Sequence, residues 1–248
     1  MEIVQAFVTK NDCYQANIKR ADKRYARFQD EGPKGLMLHS VGCARSDASV
    51  QVQKWDKPNY SACAHAAIDS NSGTVMQALP WNFRAWHCGS GSNGSANDTH
   101  IGVEMCESTY IRYYLPGEEG YEPGKFSVTD LAKARANAKI AYESAVELFA
   151  YLCETYAIPP DTGIISHKEG GKKGIASTHI DPEHYWTQLG LSYTMDGFRA
   201  AVKEKLDKED TIYRIQVGAF RNKAYAEAFL AKVQKDYPNA YITTKTTK

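Results

Sequence analysis

Residues 166–186 concentrate reactive side chains in one short, glycine-rich segment. The segment carries His167, His179 and His184 with several carboxylates, and it follows an apolar run, Gly163-Ile164-Ile165, that is typical of a buried strand. Loops after strands often present functional side chains together. Imidazole nitrogens and carboxylate oxygens are ligands that zinc accepts, and a catalytic zinc takes three protein ligands and keeps one position open. The segment therefore predicts part of a metal site.

His39 is the best candidate for a ligand from elsewhere in the chain. It follows a second apolar run, Gly35-Leu36-Met37-Leu38, that predicts another buried strand. Ligands in open α/β sheets commonly lie at the carboxyl ends of strands. A lone histidine is more often a satisfied core or surface residue, so the spacing of His39 from His167 does not by itself decide the matter.

Predicted strands and helices alternate along the first 195 residues. Residues 62–68 and 74–79 flank a turn-rich segment and predict a hairpin. Residues 129–156 predict a long helix that is stopped by Pro159-Pro160. This alternation favours an α/β fold, a three-layer domain with a central mixed β-sheet flanked by helices.

Glu104 lies inside a predicted strand over residues 100–106. Ile101, Val103 and Met105 alternate with it, so its side chain faces away from the branched apolar set. A carboxylate in a strand interior needs either a partner or a function. A salt bridge within the sheet and a catalytic role both remain open at this point.

The chain of 248 residues is long enough for one good-sized core and a small second module. We expect a first domain over residues 1–195 and a helix or linker rich in Lys, Glu and Asp over 196–210. Residues 211–248 have a period-two run, a helical stretch and a final strand-like run, which predict a small partial β-α-β module.

The overall charge points to no special partner. A net charge of +1 and a pI near 7.6 give no reason to expect nucleic acid or an anionic membrane as a partner. No run approaches the ~18 apolar residues of a membrane span. The amino terminus has no long apolar stretch, so we expect no signal peptide. The six cysteines are scattered without a CxxC pair, and we expect them to be reduced.

Four short segments that contain the candidate site residues are spread over most of the first domain. They are Met-Leu-His-Ser at 37–40, Ala-Trp-His-Cys-Gly at 85–89, His-Ile-Gly-Val-Glu at 100–104, and the segment from Ser-His-Lys at 166–168 to His-Ile-Asp-Pro at 179–182. Their content and order resemble the zinc-dependent N-acetylmuramoyl-L-alanine amidases of the type 2 family, which includes phage endolysins and peptidoglycan recognition proteins. The resemblance implies hydrolysis of the amide bond between N-acetylmuramic acid and L-alanine in peptidoglycan.

The resemblance also implies a role for individual residues. His39, His167 and Asp181 match the residues that bind Zn²⁺, and some members of the family carry Cys in place of Asp181. Glu104 matches the carboxylate that serves as general base beside the attacking water. His179 stands where many relatives carry Lys, and we expect its imidazole to donate to the developing oxyanion. The alternative is that His179, rather than Asp181, is a zinc ligand.

Three further residues are expected to bind substrate. Trp86 and His87 resemble the Trp-His pair of the family at the rim of the groove, where an aromatic face lies against a sugar and an imidazole bonds to the peptide. His65 lies among small residues of the predicted hairpin and is expected to line the same cleft. Histidines buried in a core would show the same pattern. His184 is expected to be a surface residue of the closing helix.

The carboxyl-terminal run Tyr213-Arg214-Ile215-Gln216-Val217-Gly218-Ala219-Phe220 resembles the opening of the SPOR domain, a module that binds septal glycan strands stripped of their stem peptides. The resemblance covers residues 212–244. A full SPOR domain has a second helix and more strands, so we expect a partial module.

Together these resemblances imply bacterial peptidoglycan as the partner, and we expect a monomer. A chain made in the cytoplasm without a signal peptide and acting on the cell wall fits an endolysin of a phage or prophage, or a protein exported by a non-classical route. Two other classes remain open. One is a peptidoglycan receptor without catalytic activity, and the other is a cell-wall peptidase that uses a cysteine as nucleophile.

Overall fold

The computed structural model describes residues 1–209, Gly218, Phe220, 222–235 and Ile242. The chain divides into two compact units, Met1–Lys208 and Glu209–Lys248. The described strands are β1 (Ile3–Gln5), β2 (Gly35–Ser40), β3 (Ala66–Ile68), β4 (Val75–Gln77), β5 (His100–Met105), β6 (Ile111–Tyr113), β7 (Phe126–Val128) and β8 (Ile164–Ser166). The described helices are α1 (Asp12–Ile18), α2 (Lys23–Glu31), α3 (Ala48–Trp55), α4 (Leu131–Tyr156), α5 (Pro160–Gly163), α6 (His167–Lys172), α7 (Glu183–Gln188), α8 (Met195–Glu209) and α9 (Lys223–Val233), with a short 3-10 helix at Ala96–Asp98.

A mixed sheet of six strands forms the middle of the first unit, in the order β1-β4-β3-β5-β2-β8. Strands β3 and β4 pair antiparallel, as the predicted hairpin requires. Strand β2 runs parallel to both of its neighbours, β5 and β8. The carboxyl ends of these three strands therefore meet at one edge of the sheet. Strands β6 and β7 form a separate antiparallel pair.

Apolar side chains are buried on both faces of this sheet. In β2, Leu36 and Leu38 enter the large core beneath α4, whereas Met37 between them packs with Ile165 of β8 in a different cluster. In β3, Ala67 enters a third cluster formed with α3. Neighbours along a strand point to opposite faces, so a strand covered on both sides reads as a continuous apolar run. The predicted three-layer α/β domain is confirmed.

Helix α4 is the long helix predicted at residues 129–156. The side chain of Asp130 caps its first turn by accepting a hydrogen bond from the backbone N–H of Lys133. The helix ends at Ala157, which takes a left-handed conformation with φ of 52° two residues before Pro159. Small side chains on its buried face allow the helix to approach the sheet closely. These are Ala134, Ala138, Ala141 and Ala145.

The described part of the charged segment expected at 196–210 lies in helix α8, which packs within the first unit. Phe198 and Val202 of this helix are fully buried in the large core. The guanidinium of Arg199 donates to Glu169 of α6 at 2.9 and 3.1 Å. Most of the charged residues of the segment lie on the exposed face of the helix. Phe198 and Val202, four positions apart on the other face, hold the helix against the core.

The described part of the second unit centres on α9. The side chain of Asn222 caps this helix by accepting from the backbone N–H of Ala224 at 2.9 Å. The rings of Phe220 and Phe229 lie 5.3 Å apart. Most of the predicted final strand and most of the predicted period-two strand lie outside the described residues. Within the described residues, no helix is both long and apolar enough to cross a membrane.

Candidate metal centre and active site

Three parallel strands bring the predicted reactive residues to one edge of the sheet. His39 in β2 is paired in register with Glu104 in β5. His167 follows β8 directly, because the Ser166 side chain accepts from the Glu169 backbone N–H while the Glu169 carboxylate accepts from the Ser166 backbone N–H. This capping box ends the strand and starts α6 at His167. The backbone N–H of Lys168 then donates to the carbonyl of Asp181 at 3.2 Å and fixes the loop that precedes α7.

His39, His167 and Asp181 converge on one point. The Nδ1 atoms of the two imidazoles are 3.1 Å apart, and Asp181 places Oδ2 at 3.3 Å from His39 Nδ1 and Oδ1 at 3.4 Å from His167 Nδ1. Ligands of a tetrahedral zinc with bonds near 2.0–2.1 Å are separated by about 3.3 Å. All three residues are buried. The donor set is one that zinc accepts, and one ligand atom from each residue lies within 4.8 Å of the other two.

The electrostatics of this cluster suit a cation. Burial lowers the pKa of the His39 imidazole below its ordinary value. Burial acts to raise the pKa of Asp181, but the imidazoles of His167, His179 and His39 that face its carboxylate outweigh it and hold this pKa well below its usual range. A neutral imidazole and an ionised carboxylate are the forms that bind metals.

Glu104 lies beside this cluster with part of its carboxyl group unused. Its Oε2 atom is buried and has no hydrogen-bond partner among the described residues. Burial, together with the neighbouring carboxylates of Asp181 and Glu107, raises the pKa of Glu104 well above its ordinary value. No basic side chain in the described ranges lies within ion-pair distance of it, so the strand salt bridge considered from sequence is not seen. A buried oxygen without a partner is free to bond to a water or a substrate.

His179 lies at the rim of the cluster. Its ring stacks on His167 with a centroid separation of 4.1 Å, and its Nδ1 lies 3.6 Å from Asp181 Oδ1. The hydrogen bond to Asp181 raises the pKa of His179. Its side chain is 55% exposed, whereas those of His39 and Asp181 are 1% and 10% exposed. His179 is therefore the solvent-exposed member of this group of histidines.

The three expected substrate-binding residues occupy different places. Trp86 is half-buried and donates from its indole nitrogen to the hydroxyl of Tyr25 at 3.0 Å. His87 places Nδ1 at 2.8 Å from Nε2 of His39. It therefore contacts the ring nitrogen of His39 that does not face His167 and Asp181. His65 is fully buried, with Nε2 donating to the carbonyl of Phe83 at 2.7 Å and Nδ1 accepting from the Gly102 N–H at 3.0 Å. Both nitrogens of His65 are thus engaged by the backbone and face no cleft.

Acidification is expected to destabilise the protein partly through His65. Burial lowers the pKa of His65 to about 4, whereas an unfolded histidine titrates near 6.5. Between these values the unfolded chain binds a proton that the folded chain does not. The free energy of unfolding therefore falls as the pH falls, by about 1.4 kcal/mol per pH unit for this residue.

Denaturant titrations of metal-free protein at pH values between about 4 and about 6.5 measure this slope. The His65→Asn variant is expected to be less stable near neutral pH but to show a shallower slope. An equally steep slope in the variant would show that His65 does not titrate in this way.

A second group of polar residues beside the site was missed from the sequence. Glu107 is fully buried, and the hydroxyl of Tyr113 donates to its Oε2 at 2.6 Å. The same hydroxyl lies 2.9 Å from Nε2 of His184, which is half-buried rather than on the surface as expected. Burial raises the pKa of Glu107 to about 7. The sequence signal for this group was Glu107, a second carboxylate three residues after Glu104. Its partner Tyr113 lies in the separate strand β6, so the sequence did not show the pairing.

The cysteines are poorly suited to nucleophilic catalysis. Burial raises the pKa of Cys88 to about 11 and the pKa values of Cys13 and Cys153 to about 12. Burial also raises the pKa values of Cys43, Cys63 and Cys106. All six are free thiols. A reactive cysteine requires a lowered pKa and an electropositive setting, so a thiol peptidase finds no support here.

A buried His-His-Asp cluster at the carboxyl edge of an α/β sheet, beside a glutamate whose Oε2 has no partner in the described part of the chain, is typical of metal-dependent hydrolases. The chain belongs to the N-acetylmuramoyl-L-alanine amidase family, whose family model matches residues 29–184. A SPOR domain model matches residues 209–248. Both resemblances predicted from the sequence are confirmed.

Curated relatives share short stretches with this chain. The N-acetylmuramoyl-L-alanine amidase CwlA of Bacillus subtilis is 36% identical over 80 residues, which cover 32% of this chain and 28% of CwlA. CwlH of the same organism is 35% identical over 63 residues, which cover 25% of this chain and 24% of CwlH. The chain thus spans about a quarter of the length of these relatives.

Solved structures resemble it over most of its length. Staphylococcus aureus hydrolase AmiA, solved with its ligand, superposes with a TM-score of 0.56 at 16% identity, covering 84% of this chain and 85% of AmiA. The catalytic domain of XlyA superposes with a TM-score of 0.51 at 20% identity, covering 82% of this chain and 99% of that domain. These likenesses show a shared fold.

Proposed function

We propose that this protein is a zinc-dependent amidase that hydrolyses the bond between the lactyl group of N-acetylmuramic acid and L-alanine in bacterial peptidoglycan. The observation that carries the proposal is the convergence of the donor atoms of His39, His167 and Asp181 next to Oε2 of Glu104, which has no hydrogen-bond partner among the described residues. Membership of the amidase family supports the choice of bond.

His39, His167 and Asp181 would hold the metal, which supplies Lewis acidity and a more acidic water when bound. Glu104 accepts a proton from the attacking water at Oε2 and passes it to the departing amine of L-alanine. His179 donates an N–H from the rim to the negative charge that develops on the carbonyl oxygen. The half-buried indole of Trp86 would provide a surface on which a sugar ring can lie.

We propose that the second unit adds affinity for glycan strands, in line with its SPOR match. A tethered glycan-binding module raises the local concentration of substrate near the catalytic unit without changing the chemistry. The site of action would be the bacterial cell wall, and the protein would act as a monomer.

The proposal is tested by digesting purified peptidoglycan and assaying new amino termini and new reducing ends. We expect free amino groups of L-alanine without reducing ends, loss of this activity in a chelator, and recovery when zinc is returned. New reducing ends would indicate a glycosidase, and activity that survives complete metal removal would contradict the proposal. A protein that sediments with the cell wall but cuts no bond would be a receptor.

A further inference from the structure

The position of the His87 ring depends on the absence of a side chain at Gly102. Its imidazole lies against Gly102 of β5, and a Cβ atom added there would fall 2.3 Å from Cγ and 2.5 Å from Nδ1 of His87. Real Cβ atoms do not approach so closely, so any larger residue at this strand position would push the ring away. The glycine thus allows the ring of His87 to pack directly on the strand that carries Glu104.

The hydrogen bonds of His87 determine which of its nitrogens carries the proton. Nε2 lies 3.2 Å from the carbonyl oxygen of His100, and a carbonyl only accepts, so Nε2 is the N–H. A neutral imidazole that carries its proton on Nε2 has a lone pair on Nδ1. Nδ1 is therefore a bare acceptor, and the proton shared over 2.8 Å with His39 belongs to Nε2 of His39.

This arrangement leaves the lone pair of His39 on Nδ1, the atom that faces His167 and Asp181. A parallel arrangement holds His167. Its Nε2 lies 3.2 Å from the hydroxyl of Ser177, and that hydroxyl donates its only hydrogen to the carbonyl of Cys88 at 2.9 Å. The hydroxyl must accept from Nε2 of His167, which leaves Nδ1 of His167 bare as well.

We infer that His87 is a positioning residue for the metal site: through its hydrogen bond to Nε2 it fixes the tautomer and the ring orientation of His39 so that Nδ1 is presented to the metal. The inference rests on the proposed zinc site. It replaces the expectation that His87 contacts the substrate peptide. Partners of this kind behind a metal-binding histidine set its tautomer and typically change metal affinity by 10–100-fold when removed.

Three variants and a control test this inference. His87→Phe keeps a ring but removes the acceptor, His87→Asn keeps a shorter acceptor, and Gly102→Ala displaces the ring without altering its chemistry. His65→Phe is the control, because His65 is a buried histidine whose ring lies 6.2 Å from that of His87 and whose nitrogens bond only to backbone groups. The readouts are the zinc dissociation constant of the full chain and the ring nitrogen shifts of His39 in metal-free protein, with circular dichroism to check folding.

We expect about 10–100-fold weaker zinc binding for His87→Phe and Gly102→Ala, partial recovery in His87→Asn, and less than about a 3-fold change for His65→Phe. The metal-free wild type should show His39 protonated on Nε2, and His87→Phe should show a mixture of tautomers. Wild-type zinc affinity with an unchanged tautomer in His87→Phe and Gly102→Ala would overturn the inference. A wild type that binds no zinc would refute the proposed function instead, while the nitrogen shifts would still decide the role of His87.

Discussion

The Glu104→Gln variant is expected to lose about 10²–10⁴-fold in kcat while it retains its zinc. Glutamine has the same size and shape as glutamate but does not accept a proton from water. The strand around Glu104 is otherwise closely packed, with Val103 and Met105 buried on either side, so an isosteric change leaves the sheet intact. The expected loss is therefore one of proton transfer rather than of folding.

The measurement is kcat on peptidoglycan together with zinc content by atomic emission. Glu107→Gln is the matched control, because Glu107 is also a buried carboxyl on the same segment. Its oxygens are already occupied by the hydroxyl of Tyr113 and the backbone N–H of Gly42, so we expect less than about a 10-fold loss. Equal losses in the two variants, or a Glu104 variant without zinc, would contradict the role of Glu104 as general base.

The Asp181→Ala variant is expected to bind zinc more than about 100-fold more weakly and to fall to background activity, since loss of an outer partner alone typically costs 10–100-fold. Removal of the carboxylate takes away the only anionic member of the cluster and leaves two neutral imidazoles to hold a dication. Asp181→Cys should retain zinc, because a thiolate is also a good zinc ligand.

Isothermal titration with zinc and activity assays at saturating zinc separate binding from chemistry in this series. Asp161→Ala, at an exposed position on α5, is the control and should bind zinc like the wild type. If Asp181→Ala keeps tight zinc binding, then His179, which lies within 3.6 Å of the same carboxylate, would be the third ligand.

The sequence alone determined several elements of the fold and named His39 and the segment 166–186 as candidates for a metal site. The sequence predicted strand β2 with His39 near its end, the long helix α4 and the alternation around Glu104. These features could be predicted because apolar periodicity and capping residues act between neighbours in the chain. The family resemblance then singled out His39, His167 and Asp181. The structure brings these three side chains together as a candidate zinc site.

The tertiary structure decided what surrounds that cluster. His39 meets His167 across 128 residues and His87 across 48, and such contacts depend on the order of strands in the sheet rather than on local pattern. For the same reason His65 and His87, which look alike in sequence, have different hydrogen-bond partners although their rings lie 6.2 Å apart. The order of the strands places His65 where both of its nitrogens bond to backbone groups. It places His87 where its Nδ1 contacts Nε2 of His39. A histidine's role depends on which atoms face its two nitrogens, and those atoms come from distant parts of the chain.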